Sequence, residues 1–311
     1  MQHEITQAIP LLDEQGELTQ PGWARRLLPV YDRSKERDCY LVMNRQCALA
    51  LTISDNRYMG MDSISLIDLW EGWQVTRSPM RLMPLGGTGL PQSSLRGSCA
   101  RAGRGYGLLF QHEGEGRTLH AHMDRFRDGQ ALDAQILLTQ EPEESIVMCT
   151  PFEKPGQFYF NQKINCMRAQ GKVTLGDREY VFDPEDSFAV LDWGRGVWTC
   201  RGTWYWGSAS GMVDGVPFGF NIGYGFGDTS AATENALFYG GKLHKLSQVT
   251  FHIPRKNGRE HYLAPWTFDS DDRRFRMKFR PILDRAACPS AGVVRSGQHQ
   301  VFGSFTGTAV L

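Results

Sequence analysis

Along most of its length this chain alternates apolar and polar residues with a period of two, and sustained helical spacing is scarce. Such alternation belongs to strands whose two faces meet different surroundings, so the chain predicts an all-β fold. Turn signals cut the alternation into short runs. Glu113-Gly114, Asp128-Gly129, Gly176-Asp177, Asp214-Gly215 and Asn257-Gly258 each separate two runs, with residues that tolerate positive φ where a hairpin needs them. Successive hairpins build antiparallel sheets, and closure removes sheet edges, so two successive antiparallel β-barrels satisfy the pattern best.

At 311 residues the chain exceeds the usual size of one hydrophobic core. Proline and charge in Gln140-Glu141-Pro142-Glu143-Glu144 and in Pro151-Phe152-Glu153-Lys154-Pro155-Gly156 bracket the midpoint and predict a boundary near Gly156. Residues 1–155 then form an N-terminal barrel whose first thirty residues are an irregular arm lying over it, and residues 156–311 form a C-terminal barrel. Lysine plus arginine equals aspartate plus glutamate at 34 each, scattered along the chain, which argues against a nucleic-acid partner. No apolar run approaches the roughly 18 residues of a membrane span, so no integral membrane segment is expected. Seven cysteines without a Cys-x-x-Cys pair, Cys200 and Cys288 among them, fit neither a disulfide framework nor a zinc knuckle. Reduced thiols and an N-terminus without a secretion signal predict a cytoplasmic protein.

Chemistry concentrates in the second half. Leu191-Asp192-Trp193-Gly194-Arg195-Gly196-Val197-Trp198, followed by Trp204-Tyr205-Trp206, holds four of the eight tryptophans around one acid and one base. Clustered indoles beside charge suggest a walled pocket with a polar floor. Asp192 and Arg195, read as a turn through Gly194, point the same way: Asp192 is a candidate general acid, with Arg195 setting its pKa or holding a ligand carboxylate or phosphate, and the alternative is an ion pair that fixes a sharp turn. Trp198, Trp204 and Trp206 would form the wall. In the run 218–228, Phe218, Phe220, Ile222, Tyr224 and Phe226 share one face, and Gly219, Asn221, Gly223, Gly225 and Gly227 share the other. A glycine-lined face admits a ligand or another backbone, or serves a barrel corner, and Asn221 and Tyr224 are candidate ligand contacts. Tyr159, Asn161, Lys163 and Asn165 line one face of a further strand; they suit a lumen, although the wet outer face of a barrel is the commoner fate of such residues. Lys163 and Asn165 are candidate contacts, Glu234 is the second candidate acid, and Asn235 lies beside it at a barrel mouth.

Two weaker patterns point elsewhere. His120-Ala121-His122-Met123-Asp124 puts two histidines and an acid on one strand face, yet alternating polar residues on an exposed strand are more common and no metal site is expected. His244 suits a surface hairpin, with proton transfer as the alternative. Neither a Gly-x-Ser-x-Gly elbow nor a nucleotide-binding Gly-x4-Gly-Lys-Ser/Thr loop is present, which removes the usual support for hydrolase and kinase readings.

The phrases Asn161-Gln162-Lys163-Ile164-Asn165, Leu191 to Gly196, Thr233-Glu234-Asn235-Ala236-Leu237 and Gly241-Lys242-Leu243-His244-Lys245-Leu246, with Gly22-Trp23-Ala24-Arg25 and Val301-Phe302-Gly303 near the ends, resemble an uncharacterised bacterial family, domain of unknown function 2804. The resemblance implies a two-barrel, lipocalin-like (calycin-like) architecture similar to the carotenoid 1,2-hydratase and tocopherol cyclase families. Those act on long apolar isoprenoids by proton-initiated addition to a double bond, without metal or organic cofactor. The function expected is a cofactor-free acid/base enzyme acting on an apolar small molecule by hydration, cyclisation or isomerisation. A binding or carrier protein for a lipid-like or pigment ligand, and a carbohydrate-active β-sandwich with Asp192 and Glu234 flanking a glycosidic bond, are the alternatives.

Overall fold

The computed structural model describes residues 2–28, 35–199, 202–287, 290–291, 294–295 and 297–311. Every regular element among them is a strand, and every strand pair is antiparallel. The first fourteen strands form one sheet: β1 (Gly22–Ala24), β2 (Lys35–Met43), β3 (Cys47–Asp55), β4 (Met59–Asp68), β5 (Trp73–Arg77), β6 (Met80–Leu82), β7 (Gly97–Gly103), β8 (Tyr106–His112), β9 (Arg117–Arg127), β10 (Gln130–Thr139), β11 (Ile146–Pro151), β12 (Phe158–Leu175), β13 (Arg178–Phe182) and β14 (Phe188–Val197). Its main path runs β5-β4-β3-β2-β14-β12-β10-β9-β8-β7. The sheet curls until β5 returns to β9: Arg77 Nε donates to the Phe126 carbonyl at 2.9 Å, and the Arg127 guanidinium stacks 3.7 Å above the Trp73 ring.

The second sheet is β15 (Tyr205–Val213), β16 (Val216–Tyr224), β17 (Ala236–Tyr239) and β18 (Lys242–Lys245), paired in that order. The third joins β19 (Val249–His252), β22 (Trp266–Ser270), β23 (Phe275–Ala287) and β26 (Gln298–Ala309). Two short hairpins, β20 (Arg255–Lys256) with β21 (Arg259–Glu260) and β24 (Ser290–Ala291) with β25 (Val294–Arg295), project from it. The second and third sheets close over one aromatic core, in which Phe220 meets Phe275 edge-on at 5.0 Å and Phe251 meets Phe268 at 4.7 Å. The architecture is therefore all-β and antiparallel, as the period-two pattern and its glycine turns predict, and it fits the lipocalin-like form that the family resemblance implies. All five hairpin dipeptides sit between paired strands, and Asp128-Gly129, Asp214-Gly215 and Asn257-Gly258 all have both residues at positive φ.

Sheet membership does not change at Gly156. That residue lies in the turn joining β11 to β12, which pair with each other, while β12 also pairs β10 and β14 also pairs β2. The hydrogen-bonded ladder passes to a new sheet only after Val197. β12 is what ties the two halves together. Phe158, Phe160 and Ile164 on one of its faces enter the first core, and Tyr159, Asn161, Lys163 and Asn165 on the other lie beneath β15 and β16. A bulge between Ile164 and Met167, with Cys166 at φ +63, then re-aims the strand.

The N-terminal arm is tied to both halves rather than lying over the first alone: β1 pairs β11, His3 N donates to the Ala231 carbonyl, and Thr233 N donates to Gln2 Oε1. Residues 1, 29 and 30 of the predicted arm are outside the described residues. Cys39, Cys47, Cys99, Cys149 and Cys166 are free thiols, while Cys200 and Cys288 lie outside the described residues.

Candidate functional site

Asp192 and Arg195 do not share a turn. Residues 188–197 form one continuous strand, held on both sides by β2 and β12, so the two glycines are spanned by ladder hydrogen bonds instead of ending the run. An odd spacing along a strand puts two side chains on opposite faces. Arg195 therefore points into the first barrel, where it donates to Asp38 at 2.8 Å and stacks 4.3 Å from the Trp193 ring. Asp192 points outward, toward β15. The pairing expected from their spacing is corrected by that parity.

On the outward face Asp192 meets different partners. Its register partner across the ladder is Lys163, whose Nζ donates to Oδ1 at 3.0 Å, and Arg37 from β2 reaches Oδ2 at 2.9 Å. Tyr159, two residues from Asn161 along the same face, lies close enough for its phenol to help lower the same carboxyl. Burial alone would raise the Asp192 carboxyl, but Lys163, Arg37 and these hydrogen bonds outweigh it and hold the group below the usual carboxylate range. The same contacts, with Glu234, push the Lys163 ammonium upward against its own burial. Burial and the nearby Asp192 charge raise the Tyr159 phenol. The row expected on an outer barrel face is on the outer face of the first barrel, but it is not wet: Asn161, Lys163 and Asn165 are buried beneath the second sheet.

Lys163 links the two candidate acids. Its Nζ lies 3.5 Å from Glu234 Oε2, and Glu234 comes from the loop between β16 and β17. That carboxylate also accepts from Asn221 Nδ2 at 2.9 Å, while Asn221 Oδ1 accepts from Trp206 Nε1 at 2.7 Å. The fully buried Asn221 thus fixes an indole and an acid in one step. The bare face of β16 is what allows this approach. A Cβ at Gly223 would lie 2.5 Å from Glu234 Oε1, and one at Gly219 would lie 2.5 Å from Cys166 Sγ. Asn235 shapes the loop: its Oδ1 accepts from Gly223 N at 2.7 Å and its Nδ2 donates to the Ser247 carbonyl at 2.7 Å. Asn165 donates to Ser208 Oγ and to the Phe220 carbonyl, and so fastens the barrel to the second sheet.

An aromatic wall borders this floor. Trp206 lies 5.8 Å from Lys163 Nζ; Tyr159 meets Trp198 at 5.3 Å and Phe226 at 4.8 Å; Phe226 meets Trp204 at 5.4 Å. Trp204 is half exposed at the outer end. Phe226 reaches the wall because Gly225, at φ +90, breaks the alternation after Tyr224. Tyr224 itself is not at this floor. It stacks on Tyr205 at 4.9 Å in the aromatic core, on the face of β16 opposite Asn221. Arg37 and Tyr159 were not among the candidates. The pairing of β2 with β14 that delivers Arg37 has no local sequence signal, whereas the alternation from Tyr159 to Asn165 already placed Tyr159 beside Lys163.

The histidine patterns are occupied otherwise. His122 engages Asp133 through Nδ1 at 2.7 Å and Asp124 through Nε2 at 3.0 Å, and among the described residues no three metal-ligating side chains converge. His244 sits on the hairpin strand β18, where burial and then Arg274 and Arg25 lower its pKa. The floor as a whole brings Lys163 and Arg37 together with Asp192 and Glu234.

The family model described as Domain of unknown function (DUF2804) matches residues 2–311. No curated protein matches the chain. The crystal structure of NE1406 from Nitrosomonas europaea, an AttH candidate, is similar with a TM-score of 0.55 at 13% identity over 89% of each chain. That of kievitone hydratase from Nectria haematococca is similar with a TM-score of 0.50 at 10% identity over 86% of each chain. At these identities the likeness is one of fold.

Proposed function

The chain belongs to the family of domain of unknown function 2804, and from that premise we propose that it binds an apolar small molecule against the Trp206 wall and transforms it by cofactor-free proton transfer, as a hydration, cyclisation or isomerisation. The observation that carries this reading is the asymmetry of the two carboxylates around Lys163. Asp192 is clamped by cations at 3.0 and 2.9 Å, whereas Glu234 has one at 3.5 Å and an amide donor, and its side chain is 19% exposed against 9% for Asp192. Glu234 is then the group that delivers and retrieves a proton, and Asp192 positions Lys163 and Tyr159. In a hydration, Glu234 gives its proton to one carbon of a double bond, water bonds to the other, and the proton that water releases returns to Glu234. The Trp206 face steadies the cation formed between these steps by about 0.5–2 kcal/mol. The likeness of fold to a hydratase and the five free thiols, which suit a reducing cytoplasm, support this reading.

A binding or carrier role is favoured by one observation, that the most buried acid of the floor is held ionised and so has no proton to give. One experiment separates the two. Gently purified protein is extracted with organic solvent and the extract analysed by mass spectrometry, with a Trp204→Ala/Trp206→Ala variant as the blank. A stoichiometric apolar molecule that the variant lacks supplies the compound for turnover assays. Turnover lost in Glu234→Gln with binding retained supports the enzyme; binding without turnover in the unaltered protein supports the carrier; an extract as empty as the blank counts against the carrier and leaves the enzyme with a transiently bound substrate.

A further inference from the structure

The loop that carries Glu234 is gripped by a second lysine, which plays no part in the Lys163 floor. Lys245, at the end of β18, donates from Nζ to Thr233 Oγ1 at 3.0 Å and to the Asn235 carbonyl at 2.9 Å, the residues immediately before and after Glu234. A third bond goes to the Leu246 carbonyl. Three oxygens therefore use all three N–H groups of an ammonium. Thr233 has no proton to offer the nitrogen, since its hydroxyl donates to the Ser247 carbonyl at 2.7 Å. A neutral amine has two N–H groups and a lone pair, so one of the three oxygens would face that lone pair.

The surroundings disfavour the charge that this geometry needs. Every acceptor is neutral, and among the described residues Lys245 forms no ion pair. The charged groups that face it are Glu234 from the loop, Asp272 and Arg274 from the turn between β22 and β23, and Arg25, which is paired with Glu4 and Glu144. Arg25 and Lys245 share the Trp23 ring at 5.2 and 5.8 Å. Burial outweighs Glu234 and Asp272 and brings the Lys245 ammonium from 10.5 down to about 7.

We propose that Lys245 is a positioning residue for Glu234 and makes its placement depend on pH: the ammonium holds residues 233 and 235, and loss of its proton to solvent shifts the loop and, with it, the chain from Glu234 through Asn221 to Trp206. The Gln2 bond to the Thr233 amide and the Asn235 bond to Gly223 keep the loop attached, so the change is a displacement and not a release. Its consequence for chemistry rests on Glu234 being the group that moves the proton, whereas the placement of the carboxylate is measured without substrate. A failed titration would therefore leave the role of Glu234 in turnover standing, and an absence of turnover would leave the clamp standing.

In ¹⁵N-labelled full-length protein the Trp206 indole N–H, which donates to Asn221, reports that chain, and the Trp23 indole reports the charge on Lys245 itself. The two signals are assigned with Trp206→Phe and Trp23→Phe. Titration from about pH 5.5 to about pH 9 is expected to move both with one midpoint near 7. The Trp206 signal should stay still in Lys245→Met, and in Lys245→Arg, whose charge persists, it should stay near its low-pH position. His3→Gln and His244→Gln should keep the movement. A Trp206 signal that does not move, that still moves in Lys245→Met, or that stops moving in either histidine variant would overturn the proposal, as would movement of Trp23 alone. If Lys245→Met folds poorly, Lys245→Arg carries the comparison.

Discussion

Lys163 and Asp192 face each other as register partners across the β12–β14 ladder, and the ammonium donates to the carboxylate at 3.0 Å with both side chains less than a tenth exposed. A cross-strand ion pair so deeply covered is costly to break from one side, because the remaining charge loses its partner without regaining water. Two further groups temper this case: Arg37 still reaches Asp192, and Glu234 still reaches Lys163.

Lys163→Met is therefore expected to cost about 3 kcal/mol, the low end for a broken buried pair. Lys163→Met/Asp192→Asn is expected to cost less than the sum of the two single changes, since each removes what the other strands. Urea unfolding of the four proteins checks this, and strict additivity would show that the pair is not coupled.

Gly194 is the position at which Tyr159 crosses β14. A Cβ there would lie 2.7 Å from the phenol oxygen and 2.8 Å from the ring, at the far end of a side chain that can swing away. Gly194→Ala is expected to destabilise by only about 1 kcal/mol while turning Tyr159 away from Asp192 and Trp198. Near-ultraviolet circular dichroism should show loss of the Tyr159–Trp198 signal with the far-ultraviolet spectrum unchanged. An unchanged near-ultraviolet spectrum would mean that the backbone gives way instead.

Asn221 holds Trp206 on one side and Glu234 on the other. Asn221→Ala leaves an indole N–H without its acceptor and is expected to cost about 1–3 kcal/mol. Trp206 should also gain freedom, read as a red shift and stronger acrylamide quenching of tryptophan emission. Loss of stability without either change would assign Asn221 to packing alone.

What could be read locally was read well, and what depended on partners was not. The alternation from Phe218 to Tyr224 and the Asp214-Gly215 turn depend only on neighbours in the chain, and both are present as expected. The turn predicted through Gly194 failed because β14 is a central strand, and ladders on both sides keep two glycines extended where their intrinsic freedom would favour a bend. Those glycines were still a signal of another kind, since Gly194 admits Tyr159 and Gly196, at φ +147, packs against the Phe158 carbonyl. Arg37 could not be found by any spacing rule. It lies 155 positions before Asp192, and only the pairing of β2 with β14 joins them.

Glu36 supplies a test by pH, on the inner side of the same strand. Burial, opposed by Arg195 but reinforced by Asp55 and Asp38, pushes its carboxyl from 4.5 to about 7. Between those values the folded protein holds a proton that the unfolded chain has released, so its contribution to stability is complete below about 4.5 and is lost as pH rises through about 7. Glu36→Gln keeps the neutral shape at every pH. The variant should match the unaltered protein at pH 4 and exceed it in Tm at pH 8, with the difference growing across that window. Equal melting temperatures at pH 8 would mean that Glu36 ionises inside the barrel without penalty.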